Sequence, residues 1–179
     1  MYLFESERLG FRQWLDNDLD PWAALVADPE VMEFFPSTQT REEAAAFIER
    51  MRALQAERGF CFWAVEEKVS RDFIGFIGLG APRFESTFTP CVEIGWRLAK
   101  KYWDKGYATE GARACLEYGF RNFGCDSILA FTAIPNKRSE RVMQKIGMEY
   151  FGNFEHPSVE PGHPLRPHII YKINNPLKP

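Results

Sequence analysis

The hydrophobic pattern changes period along the chain, and each change marks an element. Leu9-Gly10-Phe11-Arg12-Gln13-Trp14 alternates with period two and predicts a first strand. Asp18 to Ala27 predicts a short helix, with Pro21 tolerated near its start. Asp28-Pro29 ends that helix, and Val31 to Phe35 forms a turn. Thr40-Arg41-Glu42-Glu43 is a capping box, in which hydroxyl and carboxylate satisfy each other's backbone N–H groups. The helix it opens runs through Arg58. Its apolar residues Ala44, Phe47, Ile48, Met51 and Leu54 share one face, and Gly59 closes it.

Strands then dominate. Phe60 to Glu66, Phe73 to Leu79 and Cys91 to Leu98 predict an antiparallel meander, with a turn at Lys68 to Asp72 and a loop at Ala81 to Pro90. A helix from Thr109 to Phe123 leads to a buried strand, Ser127 to Ala133. Asn136 opens a helix over Lys137 to Ile146, which Gly147 stops. Glu149 to Phe154 and His168 to Ile173 are the last two strands, joined by a loop from His156 to Pro167. The helix between the strands at Cys91 and Ala133 returns the chain in the same direction, so those two strands are parallel. The expected fold is therefore α/β (α+β). It has a mixed, mostly antiparallel twisted sheet with helices on both faces, in one domain spanning residues 1–179.

Composition narrows the function classes. An apolar share of 45% excludes a disordered chain. A net charge of −3 gives no electrostatic footprint for nucleic acid, and no apolar run reaches the length of a membrane span. Cys61, Cys91, Cys115 and Cys125 form no Cys-x-x-Cys pair, and Met1 to Phe4 is too short for a signal segment. The expectation is reduced cysteines in a cytoplasmic protein. His156, His163 and His168 are too widely spaced for a metal site. If the chain associates, a homodimer is the expected form, because symmetric pairs are common.

The stretch with the most chemistry lies between Glu93 and Glu110. A strand, Glu93-Ile94-Gly95-Trp96-Arg97-Leu98, delivers a basic turn that ends in Lys105-Gly106-Tyr107-Ala108-Thr109-Glu110. Unpaired N–H groups at a helix start, beside a glycine, bind phosphate. A P-loop would need Lys-Ser/Thr after the glycine, and a dinucleotide fingerprint would need three glycines; neither is present. The remaining form is Gly-x-Ala with Lys100, Lys101 and Lys105 around it, or a surface loop carrying a few lysines. Glu110 would repel an anion and is expected to point away.

These words resemble the GNAT acetyltransferases, and in particular the branch of ribosomal-protein N-terminal acetyltransferases. The matching segments are Glu93 to Leu98, Trp103 to Glu110, Asn136-Lys137-Arg138-Ser139 and Lys145-Ile146-Gly147-Met148. Near the front, Ser6-Glu7-Arg8-Leu9 and Asp28-Pro29-Glu30-Val31 also match, so the likeness covers about Glu7 to Tyr171. It implies an acetyl-CoA-dependent N-acetyltransferase. Lys105, Gly106, Tyr107, Ala108 and Thr109 would hold the diphosphate of coenzyme A. Ile94, Trp96 and Leu98 would flank the acyl-pantetheine arm, in a gap where the strand splays from its neighbour. Asn136 would bind the pantetheine amide, and Ser139 would contact the sulfur or the leaving thiolate.

Two positions depart from the family pattern. Trp103 stands where the superfamily often has Gln or Arg. Met143, seven residues after Asn136, stands where many relatives carry a proton-donating tyrosine. That leaves Ser139 as the acid or stabiliser.

Strand parity sets Glu93, Gly95 and Arg97 opposite the apolar Ile94, Trp96 and Leu98. Glu93 is the expected base for the acceptor amine; a solvent-facing carboxylate or an ion pair with Arg97 is the alternative. Gly95 predicts a bulge or a close backbone approach. The acceptor is a primary amine, on a protein N-terminus or a small molecule. Its pocket is expected from Phe34, Phe35, the Ala81–Pro90 loop and the stretch after Phe154. A non-catalytic acyl-CoA sensor and an interaction module with a degenerate loop remain open. Cys115 has no visible base partner, so transfer is expected to be direct.

Overall fold

In the computed structural model, which describes residues 1–178, eight strands form one sheet. Its spatial order is β1 (Phe4–Glu5), β2 (Leu9–Arg12), β3 (Phe62–Glu67), β4 (Phe73–Gly80), β5 (Glu93–Leu98), β6 (Ser127–Ala133), β8 (Pro167–Asn174) and β7 (Glu149–Glu155). Every neighbouring pair is antiparallel except β5 and β6, which are parallel. The helix between them, α3 (Tyr107–Phe123), is the crossover that makes them so. The mixed, mostly antiparallel sheet matches the expectation from the sequence.

Helices cover both faces. On one face α1 (Leu19–Ala27) and α2 (Arg41–Arg58) bury Trp22 and Phe47 against Phe76 of β4, with ring centroids 5.6 Å apart in each case. On the other face α3 lies so close that a side chain at Gly111 would meet Ile77 and Leu9. The fourth helix, α4 (Lys137–Lys145), contacts α3 and β6.

Local chemistry explains the ends. In α2, Glu43 N–H donates to Thr40 Oγ1 and Thr40 N–H donates to Glu43 Oε2, at 3.2 and 2.8 Å. Gly59 ends the helix in the left-handed region at φ 78°. Asn136 caps α4, its side chain accepting from Ser139 N–H at 3.2 Å.

The structure starts β3 at Phe62 rather than Phe60 and β5 at Glu93 rather than Cys91, and it differs from the expected elements at three further places. The first predicted strand ends at Arg12, not Trp14. There the Arg12 guanidinium turns onto Asp18 and the Trp14 indole donates to the Phe62 carbonyl. A two-residue edge strand at Phe4–Glu5 was too short to show a period; it is held by stacking of Phe4 on Phe11 and Tyr118. Helix α3 starts at Tyr107 rather than Thr109, immediately after Gly106. No helix among the described residues is long and apolar enough to cross a membrane.

Candidate active site

Strands β5 and β6 meet at one position only. Glu93 is opposite Leu129, and Leu129 N–H donates to Val92 O at 2.9 Å. Beyond that bridge the rest of β5 has no partner on this side. A cleft of ≈ 680 Å³ lies over the gap. It joins β5, the turn before α3, the start of α4 and the Glu30–Phe35 turn.

At one end stands the helix start. Gly106 caps α3 at φ 82°, a conformation that L side chains rarely adopt. The first helical bond runs from Glu110 N–H to Gly106 O at 3.0 Å. The N–H groups of Tyr107, Ala108 and Thr109 therefore have no acceptor within the helix, and all three residues line the cleft. Glu110 points away from it, as expected. Its carboxylate accepts from Ser6 Oγ at 2.6 Å, Arg8 N at 2.8 Å and Arg8 Nε at 2.6 Å.

The lysines do not gather there. Lys100 is bound to Glu30 at 2.5 Å, Lys101 lies 3.5 Å from Asp72, and the Lys105 ammonium sits over the Tyr102 ring. None of the three lines the cleft; Arg138, Arg141 and Lys145 of α4 do. Arg138 packs over the Trp103 ring, 4.8 Å from its centroid. Sequence reasoning missed this basic face because it read α4 through its cap alone. The recurrence of Arg138, Arg141 and Lys145 at helical spacing was the signal.

The floor of the cleft is one face of β5. Glu93, Gly95 and Arg97 stand opposite Gly80, Gly78 and Phe76 of β4. Phe62 of β3 leans over the glycines. A Cβ on Gly95 would lie 3.1 Å from its ring, so Gly95 serves a close approach and no bulge occurs there. A Cβ on Gly80 would meet the same ring at 2.7 Å and the Glu93 carboxylate at 3.2 Å.

Burial alone raises Glu93 to about 7. Glu93 makes no ion pair with Arg97, and it is half-buried on the cleft floor, not on the open surface. Burial likewise lowers Arg97 to about 10, so it stays charged at neutral pH. Ile94 and Leu98 are buried on the opposite face, and both line the cleft with Trp96.

The third wall is the start of α4. The Asn136 side chain is occupied locally: it accepts from Ser139 N–H and donates to Thr132 Oγ1 at 3.0 Å. Ser139 is half-buried on the cleft wall, and Met143 lies behind it at 1% exposure. Phe34 and Phe35 line the cleft as expected, but the Ala81–Pro90 loop does not. Its Phe84 and Phe88 instead pack with Phe131 and Phe154. His156 joins that cluster. Burial, with His168 and Arg166 nearby, lowers it to about 4, so it is neutral.

All four cysteines are free, and burial raises Cys61 to about 12 and lifts Cys115 well above the ordinary thiol value. Neither offers a thiolate nucleophile at neutral pH.

Residues 8–149 match the family model described as Acetyltransferase (GNAT) domain. The chain belongs to the GNAT acetyltransferase family. It is 32% identical over 151 residues to the uncharacterized N-acetyltransferase YnaD of Bacillus subtilis, covering 84% of each chain. A GNAT-family acetyltransferase structure from Bacillus anthracis superposes with TM-score 0.80 at 28% identity, covering 96% of this chain and 97% of the other. The ribosomal-protein-S5-alanine acetyltransferase of Vibrio fischeri shares the fold, with TM-score 0.78 at 18% identity over 98% of both chains.

Proposed function

We propose that this chain moves an acetyl group from acetyl-CoA directly to a primary amine, on a protein N-terminus or a small molecule. One observation carries the reading. The split between β5 and β6 puts an anion-binding helix start at one end and a buried carboxylate on the floor of the same cleft.

Coenzyme A supplies an activated acyl thioester. The residues fit its diphosphate: free N–H groups of Tyr107, Ala108 and Thr109 face the cleft, and Gly106 adds no side chain to crowd them. Arg138, Arg141 and Lys145 add positive charge on the α4 side. The unpaired edge of β5 at Ile94, Trp96 and Leu98 offers backbone groups to an extended amide-bearing arm. Asn136 and Ser139 face that arm across the gap.

Glu93 takes the proton from the incoming ammonium. A base that titrates near neutrality is deprotonated often enough to work and basic enough to accept. Ser139 stabilises the departing thiolate by donating its hydroxyl proton in a hydrogen bond. Free cysteines and the absence of a membrane-crossing helix among the described residues suit a cytoplasmic enzyme.

A coupled thiol-release assay with acetyl-CoA and an amine panel tests the reading. In Glu93→Gln, kcat should fall by about 10²–10⁴-fold while calorimetric affinity for coenzyme A stays unchanged. In the wild type, kcat/KM should rise with pH through about 7. Unaltered turnover in the variant would remove Glu93 from the mechanism. The competing reading is an acyl-CoA sensor, favoured by the buried Met143 that cannot donate a proton. Tight binding without thiol release would select it.

A further inference from the structure

The cleft holds a charge that the amine chemistry above does not use. Arg97 lines it two residues beyond Gly95, on the same strand face as Glu93. Its guanidinium is packed among aromatic rings, 3.9 Å from the centroid of Phe35 and 5.7 Å from those of Trp22 and Phe76. Nε is sealed from solvent with no hydrogen-bond partner. Among the described residues it makes no ion pair, and burial dominates its surroundings. The acids of the cleft wall are otherwise placed: Glu30 is bound to Lys100, Asp104 lies 3.7 Å from Arg138, and Glu33 is exposed. The indole beneath Arg97 repeats the pattern, since Trp22 Nε1 is also a sealed donor without an acceptor. A buried cation among unpaired donors and aromatic faces lacks one thing, an anionic oxygen.

We propose that Arg97 receives a carboxylate carried by the acceptor amine, so that the acceptor is an amino-carboxylate and not a polyamine or a simple alkylamine. The inference rests on the acetyl-transfer reading only for the placement of the amine. Glu93 and Arg97 are four residues apart on one face, about 13 Å between Cα atoms at strand rise. Only Gly95 stands between them on that face, and the Phe62 ring lies over it, so the connecting atoms pass along that ring. The amine and the carboxylate must therefore be separated by several bonds, as in an ω-amino acid or an N-terminus followed by an acidic side chain. A second ammonium, as in a polyamine, would face the guanidinium instead. Phe62, Phe76 and Phe35 supply apolar walls for the connecting atoms.

The test uses matched acceptors: 6-aminohexanoate against its amide, a Ser-Glu dipeptide amide against the Ser-Gln dipeptide amide, and spermidine. The expected result is a kcat/KM at least about tenfold higher for each carboxylate than for its amide, expressed mainly in KM. Arg97→Met should erase that preference, and Arg97→Lys should restore part of it, with affinity for coenzyme A unchanged in both. Equal kcat/KM across each pair, or a preference that survives Arg97→Met, would overturn the proposal. Binding of the same compounds to the coenzyme A complex, read by thermal shift, supplies a readout independent of turnover. An Arg97-dependent shift with 6-aminohexanoate but no thiol release would support the carboxylate site and sink the transferase reading. No difference between acid and amide in either assay would sink the carboxylate site alone.

Discussion

Two arginines lie on the α1–α2 side of the sheet, Arg12 buried and Arg97 half-buried with its Nε sealed, and their surroundings are opposite. Arg12 donates to both oxygens of Asp18 at 2.7 and 2.9 Å, to Glu66 at 3.0 Å and to the Gln13 carbonyl at 3.2 Å. Burial alone would lower its pKa, but Asp18 and Glu66 outweigh that and raise it. Arg97 has rings around it and no acceptor. A charge buried to hold the fold brings its counter-charge from the same chain. A charge buried beside a cleft without one is poised for something that arrives from outside.

The largest test of that contrast is to remove each guanidinium. Arg12→Met strands the buried Asp18 without a cation and leaves Glu66 with only the exposed Arg71 at 3.5 Å. The expected loss is about 3–5 kcal/mol of unfolding free energy, measured by urea denaturation. Arg97→Met strands nothing and removes an uncompensated charge. Its stability should change by less than about 1 kcal/mol or rise. Equal losses in the two variants would make Arg97 a structural residue and dissolve the comparison.

Glu93 extends the contrast to an acid. Its pKa is raised from an ordinary 4.5 to about 7 by burial with no cation beside it. Between those values the folded chain holds a proton that the unfolded chain has released, so stability falls as pH rises through this window. The full contribution is present below about pH 4.5 and is lost once pH passes about 7. A difference of that size corresponds to roughly 3 kcal/mol at most. Glu93→Gln should flatten the slope between pH 5 and about 8 and be the more stable protein at the upper end. Parallel stability–pH curves for the two proteins would mean that Glu93 is solvated and not poised as a base.

What the sequence displayed and what it hid follow the same division. The capping box at Thr40–Glu43, the stop at Gly59 and the cap at Asn136 are local and readable from a few adjacent residues, and the crossover between β5 and β6 from one strand–helix–strand run. The cleft's electrostatics are not local. Lys100 is drawn from the turn by Glu30, seventy positions away. Glu93 is buried because Phe62, on another strand, closes over the glycines beside it. Parity placed Glu93 and Arg97 on one face, but it carried no information about whether partners would meet them there. The Asn136 side chain bonds Ser139 as a cap and also Thr132, a local bond that its place in the sequence did not announce, and it still lines the cleft.

The smallest predicted effect lies at Glu110, which separates pairing from burial. Like Arg12 it is fully engaged, by Ser6 and by the backbone and guanidinium of Arg8. Unlike the Arg12 network it is partly open to water, with the Arg8 side chain at 40% exposure. Burial would raise its pKa, but the hydrogen bonds from Ser6 and Arg8 prevail and lower it. Its contribution is therefore present above the ordinary carboxylate range and is lost as pH falls through the lowered value. Solvent screening limits the whole to about 1 kcal/mol. Glu110→Gln should show that small loss at neutral pH in urea denaturation, converging with the wild type in acid. A loss as large as that of Arg12→Met would mean that pairing alone, and not exclusion of water, sets the cost of breaking an ion pair in this fold.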